Sequence, residues 1–295
     1  MRIAINRYTY YCLIALFLSF SSLVILGACK KPIKPDFNST RAYEDVLYQV
    51  DLGPRTMGSQ AHAQTEDWIV SELQEAGLDV VIQESSWSGD AIRNIIASRG
   101  QGTPWIILGA HYDSRFVADR DPDPRNWSSP VPGANDGASG VAVLLELARS
   151  LPNHIDKRIW FVFFDAEDNG NYPGWDWLVG SQAFVRELEG IPDAVVVVDM
   201  IGDADLNLYL ERASDVSLSM EIWSLANELG YTQFIPEYKY QIIDDHVPFL
   251  QAGIRAIDII DFDYPYWHTV GDTPDKLSVD SLEAVGETLL AWLIR

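Results

Sequence analysis

Apolar positions along the chain fall into two alternating kinds of segment. One kind is short and almost continuously apolar: Trp105 to Leu108, Trp160 to Phe164, Ala194 to Val198 and Ile254 to Ile260. Such runs, rich in aromatic and β-branched residues, predict strands buried on both faces. The other kind has helical spacing, over 41–50, 61–76, 141–151, 178–188, 214–229 and 282–294, with Gly77 and Gly230 as stops. Asp79 to Glu84 and Ile92 to Ser98 predict a hairpin-like pair, and a short helix follows Asp244 to Phe249. A Gly/Pro turn, LGPRTMGS, joins the first two helices at Leu52 to Ser59. Strands alternating with helices predict an α/β fold: a single open, mostly parallel twisted sheet with helices on both faces.

Sheets of this kind bind ligands at the carboxyl ends of their strands. The polar residues gather there. Arg158 to Phe164 runs into Asp165, Glu167 and Asp168, and a buried carboxylate is costly unless paired or metal-bound. His111 and Asp113 follow a second strand, Asp199 ends a third, and His268 comes shortly after a fourth; Asp136 sits in a Gly-rich turn before a helix. Two imidazoles with several carboxylates, and no thiolates, point to a catalytic zinc site. Zinc does not itself shuttle protons, so a carboxylate outside the ligand set is needed as general base. Adjacent Glu167 and Asp168 can divide those two tasks.

Length and charge narrow the picture further. Residues 1–28 carry Arg2, Arg7 and an apolar run from Leu13 to Leu26, the layout of a secretory signal peptide. The Leu26-Gly27-Ala28-Cys29 string resembles the lipobox of bacterial lipoproteins, which implies acylation of Cys29. A tether over 29–40 and a single catalytic domain over 41–295 are expected, in an exported, envelope-anchored monomer that meets the membrane through that lipid alone. Removing Arg2 and Arg7 from the 21 basic residues leaves 19 against 43 acidic ones, which argues against nucleic acid as a partner. Cys12 and Cys29 are the whole cysteine content, so no disulfide supports the body.

The motifs then become specific. His111-x-Asp113, GANDGASG (Gly133 to Gly140), the acidic pair after FFDA, VVDMIGD, Asp244-Asp245-His246 before Pro248-Phe249, and Trp267-His268-Thr269 occur in that order. From roughly His62 onward the chain resembles the family of zinc aminopeptidases and glutaminyl-peptide cyclotransferases. The resemblance implies peptide or protein N-termini as substrates and one zinc held by Asp136, Asp168 and His268. It implies His111 and Asp199 as ligands of a possible second zinc bridged by Asp136. It also implies Glu167 as general base and Asp113 as the acid orienting His111. Asp168 departs from the family, which usually has Glu there.

Two branches remain open. Asp244, implied to share a hydrogen-bond network with Glu167 and Asp199, resembles the cyclotransferases, as do HYDSR at 111–115 and the pocket-forming Trp267. GANDGASG and GDTPDKL (271–277) read more like the aminopeptidases. The cyclotransferase reading is preferred, the aminopeptidase is the alternative, and an inactive peptide-binding homologue is a third class.

Blander readings apply elsewhere. His62 and His154 are expected at the surface, and His246 is expected to organise its own loop. Asp121 to Asp123 reads as a solvated acidic loop; Trp175, Trp177, Tyr264 and Tyr266 admit a pocket-wall role beside Trp267, although core packing is the safer reading for most single aromatics.

Overall fold

The computed structural model describes residues 36–295. The expected signal peptide, Cys29 and most of the expected tether therefore lie outside the described residues. From Phe37 the chain is already part of the fold, because that ring is buried against Gly286, where a β-carbon would lie 2.2 Å from it. Asn38 caps α1 (Ser39–Asp51) by accepting from the Arg41 amide.

The remaining elements are α2 (Gln60–Glu75), β1 (Asp79–Trp87), β2 (Asp90–Arg99), β3 (Trp105–His111), α3 (Ala138–Ser150), β4 (Arg158–Phe164) and α4 (Val179–Glu187). They continue with β5 (Ala194–Asp199), β6 (Leu208–Leu210), α5 (Val216–Leu229), β7 (Phe234–Tyr238), α6 (His246–Gln251), β8 (Ala256–Ile260) and α7 (Val279–Ile294). Six strands form one open sheet in the order β1-β2-β4-β3-β5-β8. β3, β4, β5 and β8 run parallel, while β2 is antiparallel to both its neighbours.

The two-residue period of the strands sorts the core into two layers. Ile106, Leu108 and Ala110 of β3 point into the larger layer, with α1, α2, α3, α5 and α7. Trp105 and Ile107 point into the smaller layer, with Phe184 of α4 and Phe249 of α6. Both faces are thus covered, and the central strands can be apolar throughout. The small parallel pair β6 and β7 was not legible in the sequence, being short and carrying exposed residues on β7. Among the described residues, no helix is long and apolar enough to cross a membrane.

Candidate metal centre

The parallel strands deliver the chemistry to one edge. β3 ends at His111, β4 ends one residue before Asp165, β5 ends at Asp199, and the loop after β8 carries His268. The acidic turn after β4 is bent sharply at Ala166, whose φ is 54°. That bend, unusual for a residue with a β-carbon, separates the surroundings of Asp165, beside His62, from those of Glu167, beside Asp168 and Asp244. Asp165 accepts from the Arg93 amide at 2.8 Å and pairs with His62 Nε2 at 2.8 Å.

His62 is therefore not at the surface: it is 6% exposed and stacked on Tyr112. Amphipathic spacing alone could not show that Asp165 waits opposite. His154 is exposed, as expected. Burial would lower the His62 pKa, but the Asp165 hydrogen bond and charge outweigh it and the value is raised. Asp165 is also raised, because burial exceeds the same attraction from His62. The two partners thus differ from a simple pair, in which the acid would be lowered. Both upward shifts mean that the pair gains proton affinity on folding. Its contribution is complete below the unfolded imidazole value of about 6.5 and is lost as pH rises through the raised value. His62→Ala is expected to cost about 3–5 kcal/mol at pH 6, the penalty of breaking a buried pair, and clearly less at pH 9. Urea midpoints at the two pH values check this, and an equal cost at both would show that the pair carries no proton.

Asp113 is fully buried and does two jobs. Its oxygens accept from the Glu167 amide at 3.0 Å, the Asp168 amide at 3.3 Å and Asn169 Nδ2 at 3.1 Å. It also faces His111 Nδ1 at 3.4 Å, which leaves Nε2 directed into the site. Asp136 is gripped from both sides. Asp272 accepts from the Asn135 and Asp136 amides at 2.8 and 3.1 Å. Arg55, the buried cation of the LGPRTMGS turn, donates to the carbonyls of Tyr112, Pro132 and Gly133. Gly137 has φ 90°, and a β-carbon there would sit 2.8 Å from the Asp113 carbonyl and 3.0 Å from His111 Cε1. The GANDGASG glycine is required by that close approach.

Two clusters result, His111 with Asp136 and Asp199, and Asp136 with Asp168 and His268; in each the candidate ligand atoms lie within 4.8 Å of one another. Asp136 is common to both. Its Oδ1 lies 3.2 Å from His111 Nε2 and its Oδ2 lies 3.7 Å from His268 Nε2. Asp199 Oδ1 is also 3.2 Å from His111 Nε2, and Asp168 Oδ1 is 2.9 Å from His268 Nε2. One ring nitrogen carries at most one proton, so it cannot satisfy two carboxylates at once. Among the described residues, Asp136 Oδ2 and Asp168 Oδ2 are buried with no hydrogen-bond partner. Donor atoms that converge and lack donors of protons fit a cation.

The electrostatics agree with a site rich in negative charge. Burial, opposed by His111 and reinforced by Asp168, Asp244 and Asp245, pushes Glu167 well above the usual carboxylate range. Burial raises Asp199 to about 7 against the pull of His111. His268 rises to about 9, against burial, because Asp168, Asp119 and Asp136 face it.

Above the clusters lies a pocket of about 290 Å³. Asp136, Glu167, Asp168, Asp199 and Asp244 line it together with Trp267, Phe262, Ile242 and Trp177. Trp267 lies 4.0 Å from the His268 ring, and Trp177 stacks parallel to that ring at 6.1 Å. Of the two readings open to Trp177, pocket wall and core packing, it takes the first. Nothing in its local sequence distinguished it, whereas Trp175 does pack with Phe116. No hydrogen bond joins Asp244 to Glu167 or Asp199 among the described residues; Asp244 Oδ1 accepts from the Asp245 amide, and its charge raises both neighbours. His246 is buried away from the clusters, 3.3 Å from Glu211.

The Asp121 to Asp123 loop also departs from expectation. Asp121 is 6% exposed and accepts from the Asp123 and Val270 amides, so it pins one loop to another.

An open α/β sheet with two carboxylate–histidine clusters at its carboxyl edge defines a candidate metalloenzyme. Residues 94–293 match Peptidase family M28, and the chain belongs to that family. It is similar to the solved glutaminyl cyclase of Porphyromonas gingivalis, with 35% identity, a TM-score of 0.82, and coverage of 87% of this chain and 98% of that one. A Zn-dependent exopeptidase from Parabacteroides distasonis superposes with a TM-score of 0.84 at 33% identity, covering 89% of this chain and 100% of the other. The glutaminyl-peptide cyclotransferase of Bos taurus is 24% identical over 299 residues, covering 84% of this chain and 81% of the relative.

Proposed function

We propose that this protein is a zinc enzyme acting on peptide N-termini, and that it cyclises an N-terminal Gln to pyroglutamate with release of ammonia. The observation that carries this reading is the pocket itself. It offers about 290 Å³, room for one side chain, lined by the aromatic rings of Trp177, Phe262 and Trp267 and by five carboxyl groups, those of Asp136, Glu167, Asp168, Asp199 and Asp244. Asp136, Asp168 and His268 would hold the metal, which when bound supplies a Lewis acid for the amide carbonyl of the substrate.

The protein's own groups do the rest. Trp267 and Phe262 confine the aliphatic part of the Gln side chain, and Asp244 and Asp199 face its α-amine. Glu167 takes a proton from the amine as the amine nitrogen bonds to the side-chain carbonyl carbon. It returns that proton to the departing nitrogen as the C–N bond breaks, so the products are a five-membered lactam and ammonia. A carboxyl group held above its usual range serves both steps, being basic enough to accept and acidic enough to donate.

A second reading rests on one specific observation. His111, Asp136 and Asp199 form a complete second cluster bridged by Asp136, as an aminopeptidase with two metals would require. Mass spectrometry of a short Gln-initiated peptide after incubation with the zinc-loaded domain separates the two. Loss of ammonia alone is the expected result; release of free glutamine would replace the proposal with the second reading. We propose in addition that residues 1–28 direct export and that Cys29 carries the lipid anchor, on the sequence pattern alone.

A further inference from the structure

The two ring nitrogens of His268 face different acids. Nε2 faces Asp168 Oδ1 at 2.9 Å, inside the cluster, and Nδ1 faces Asp119 Oδ1 at 3.5 Å, outside it. Asp119 belongs to no motif of the sequence and is held by Arg115, whose Nε and Nη2 donate to its two oxygens at 2.9 and 2.7 Å. The same guanidinium reaches back into the cluster. Its Nη1 donates to the Asp168 carbonyl at 3.1 Å and lies 3.4 Å from Asp168 Oδ1, and its Nη2 donates to the Gly170 carbonyl at 3.2 Å.

Arg115 is itself immobilised. Its side chain is 2% exposed, and its charge lies 4.9 Å from the Trp177 ring that stacks parallel to His268. Two further bonds fasten the Asp119 segment to the His268 loop: Arg120 N to the His268 carbonyl at 3.2 Å, and Val270 N to Asp121 Oδ2 at 3.1 Å. His268 has φ 56°, a backbone state that must be held in place by its surroundings.

We infer that Asp119 and Arg115 are positioning residues for the Asp136–Asp168–His268 cluster, acting on it and not on the His111–Asp136–Asp199 cluster. Asp119 keeps the His268 proton on Nδ1 and so turns the Nε2 lone pair inward, as carboxylates do behind metal-binding imidazoles. Arg115 fixes the main chain and one oxygen of Asp168, which leaves Oδ2 free to face a cation. A single cation therefore aligns the two side chains that distinguish this cluster from its neighbour. The short Asp168 fits this arrangement, because its carboxyl group has less freedom to reorient than a Glu would have. The inference rests on the reading that the clusters bind zinc.

Zinc affinity, measured by chelator competition, tests it without recourse to activity. Asp119→Asn is the main variant; the Asp119 side chain is 41% exposed, so the change leaves no buried void. It is made in an Asp199→Asn background, where the Asp136–Asp168–His268 cluster alone is complete, and again in a His268→Ala background. In the first, affinity is expected to fall about 10–100-fold, the usual effect of removing an outer partner of a metal-bound imidazole, and Asp119→Glu should restore part of it. In the second, no further loss is expected. Unfolding midpoints of the metal-free variants should match their parents. Equal affinity of Asp119→Asn and its Asp199→Asn parent would overturn the inference while leaving zinc binding intact. Failure of the unsubstituted protein to bind zinc would instead remove the reading on which it rests, and the inference with it.

Discussion

Replacing Glu167 by Gln is expected to lower turnover of a Gln-initiated peptide by about 10²–10⁴-fold, the usual range for a lost general base. Bound zinc should stay the same. The side chain belongs to neither cluster, and its main chain is fixed independently of it. The Glu167 amide donates to Asp113, its carbonyl accepts from the Leu178 amide, and Ala166 sets the bend before it. Gln preserves size and pocket shape but cannot carry the proton. Ammonia release and zinc content, measured on the same samples, separate the two effects. Near-normal activity with zinc retained would mean that another group moves the proton.

The second large effect concerns Asp136. Its two oxygens serve different clusters, so Asp136→Asn removes an anionic donor from both at once. Zinc affinity should drop by more than the ~10–100-fold typical of an outer partner, and activity should disappear with it. Asp199→Asn touches one cluster only and makes the informative comparison. Under the cyclotransferase reading, Asp199→Asn keeps the zinc held by Asp136, Asp168 and His268. Under the aminopeptidase reading it loses one of two ions. Zinc counted per chain in the unsubstituted protein and the two variants decides this. If Asp136→Asn bound zinc as tightly as the parent, the bridging arrangement would have no bearing on metal binding.

The apolar runs and the helical spacing carried most of the architecture, because burial on both faces forces a local signature on a strand. They also carried the position of the acids, since a carboxylate following such a strand must lie at the sheet edge. His62 shows where local pattern stops. A histidine on an amphipathic helix has the same spacing whether it meets water or Asp165, and only the packing of α2 against the sheet edge decides. Trp177 and Trp175 are two residues apart in one loop, yet one stands over His268 and the other packs with Phe116. Asp121 reads as solvated acid and Asp119 belongs to no motif, yet each is tied to the His268 segment, 149 residues away for Asp121.

Residue order alone carries the main sheet, the edge on which the chemistry gathers, the family and the acid–imidazole inventory, because each leaves a trace in local composition and motif. Folding is what makes Asp136 common to two clusters, sets Arg115 and Asp119 behind one of them, and brings Ile242 and Trp177 into the pocket lining. Those facts depend on distances between segments far apart in the chain, which closing the sheet and its loops sets and which no local spacing records.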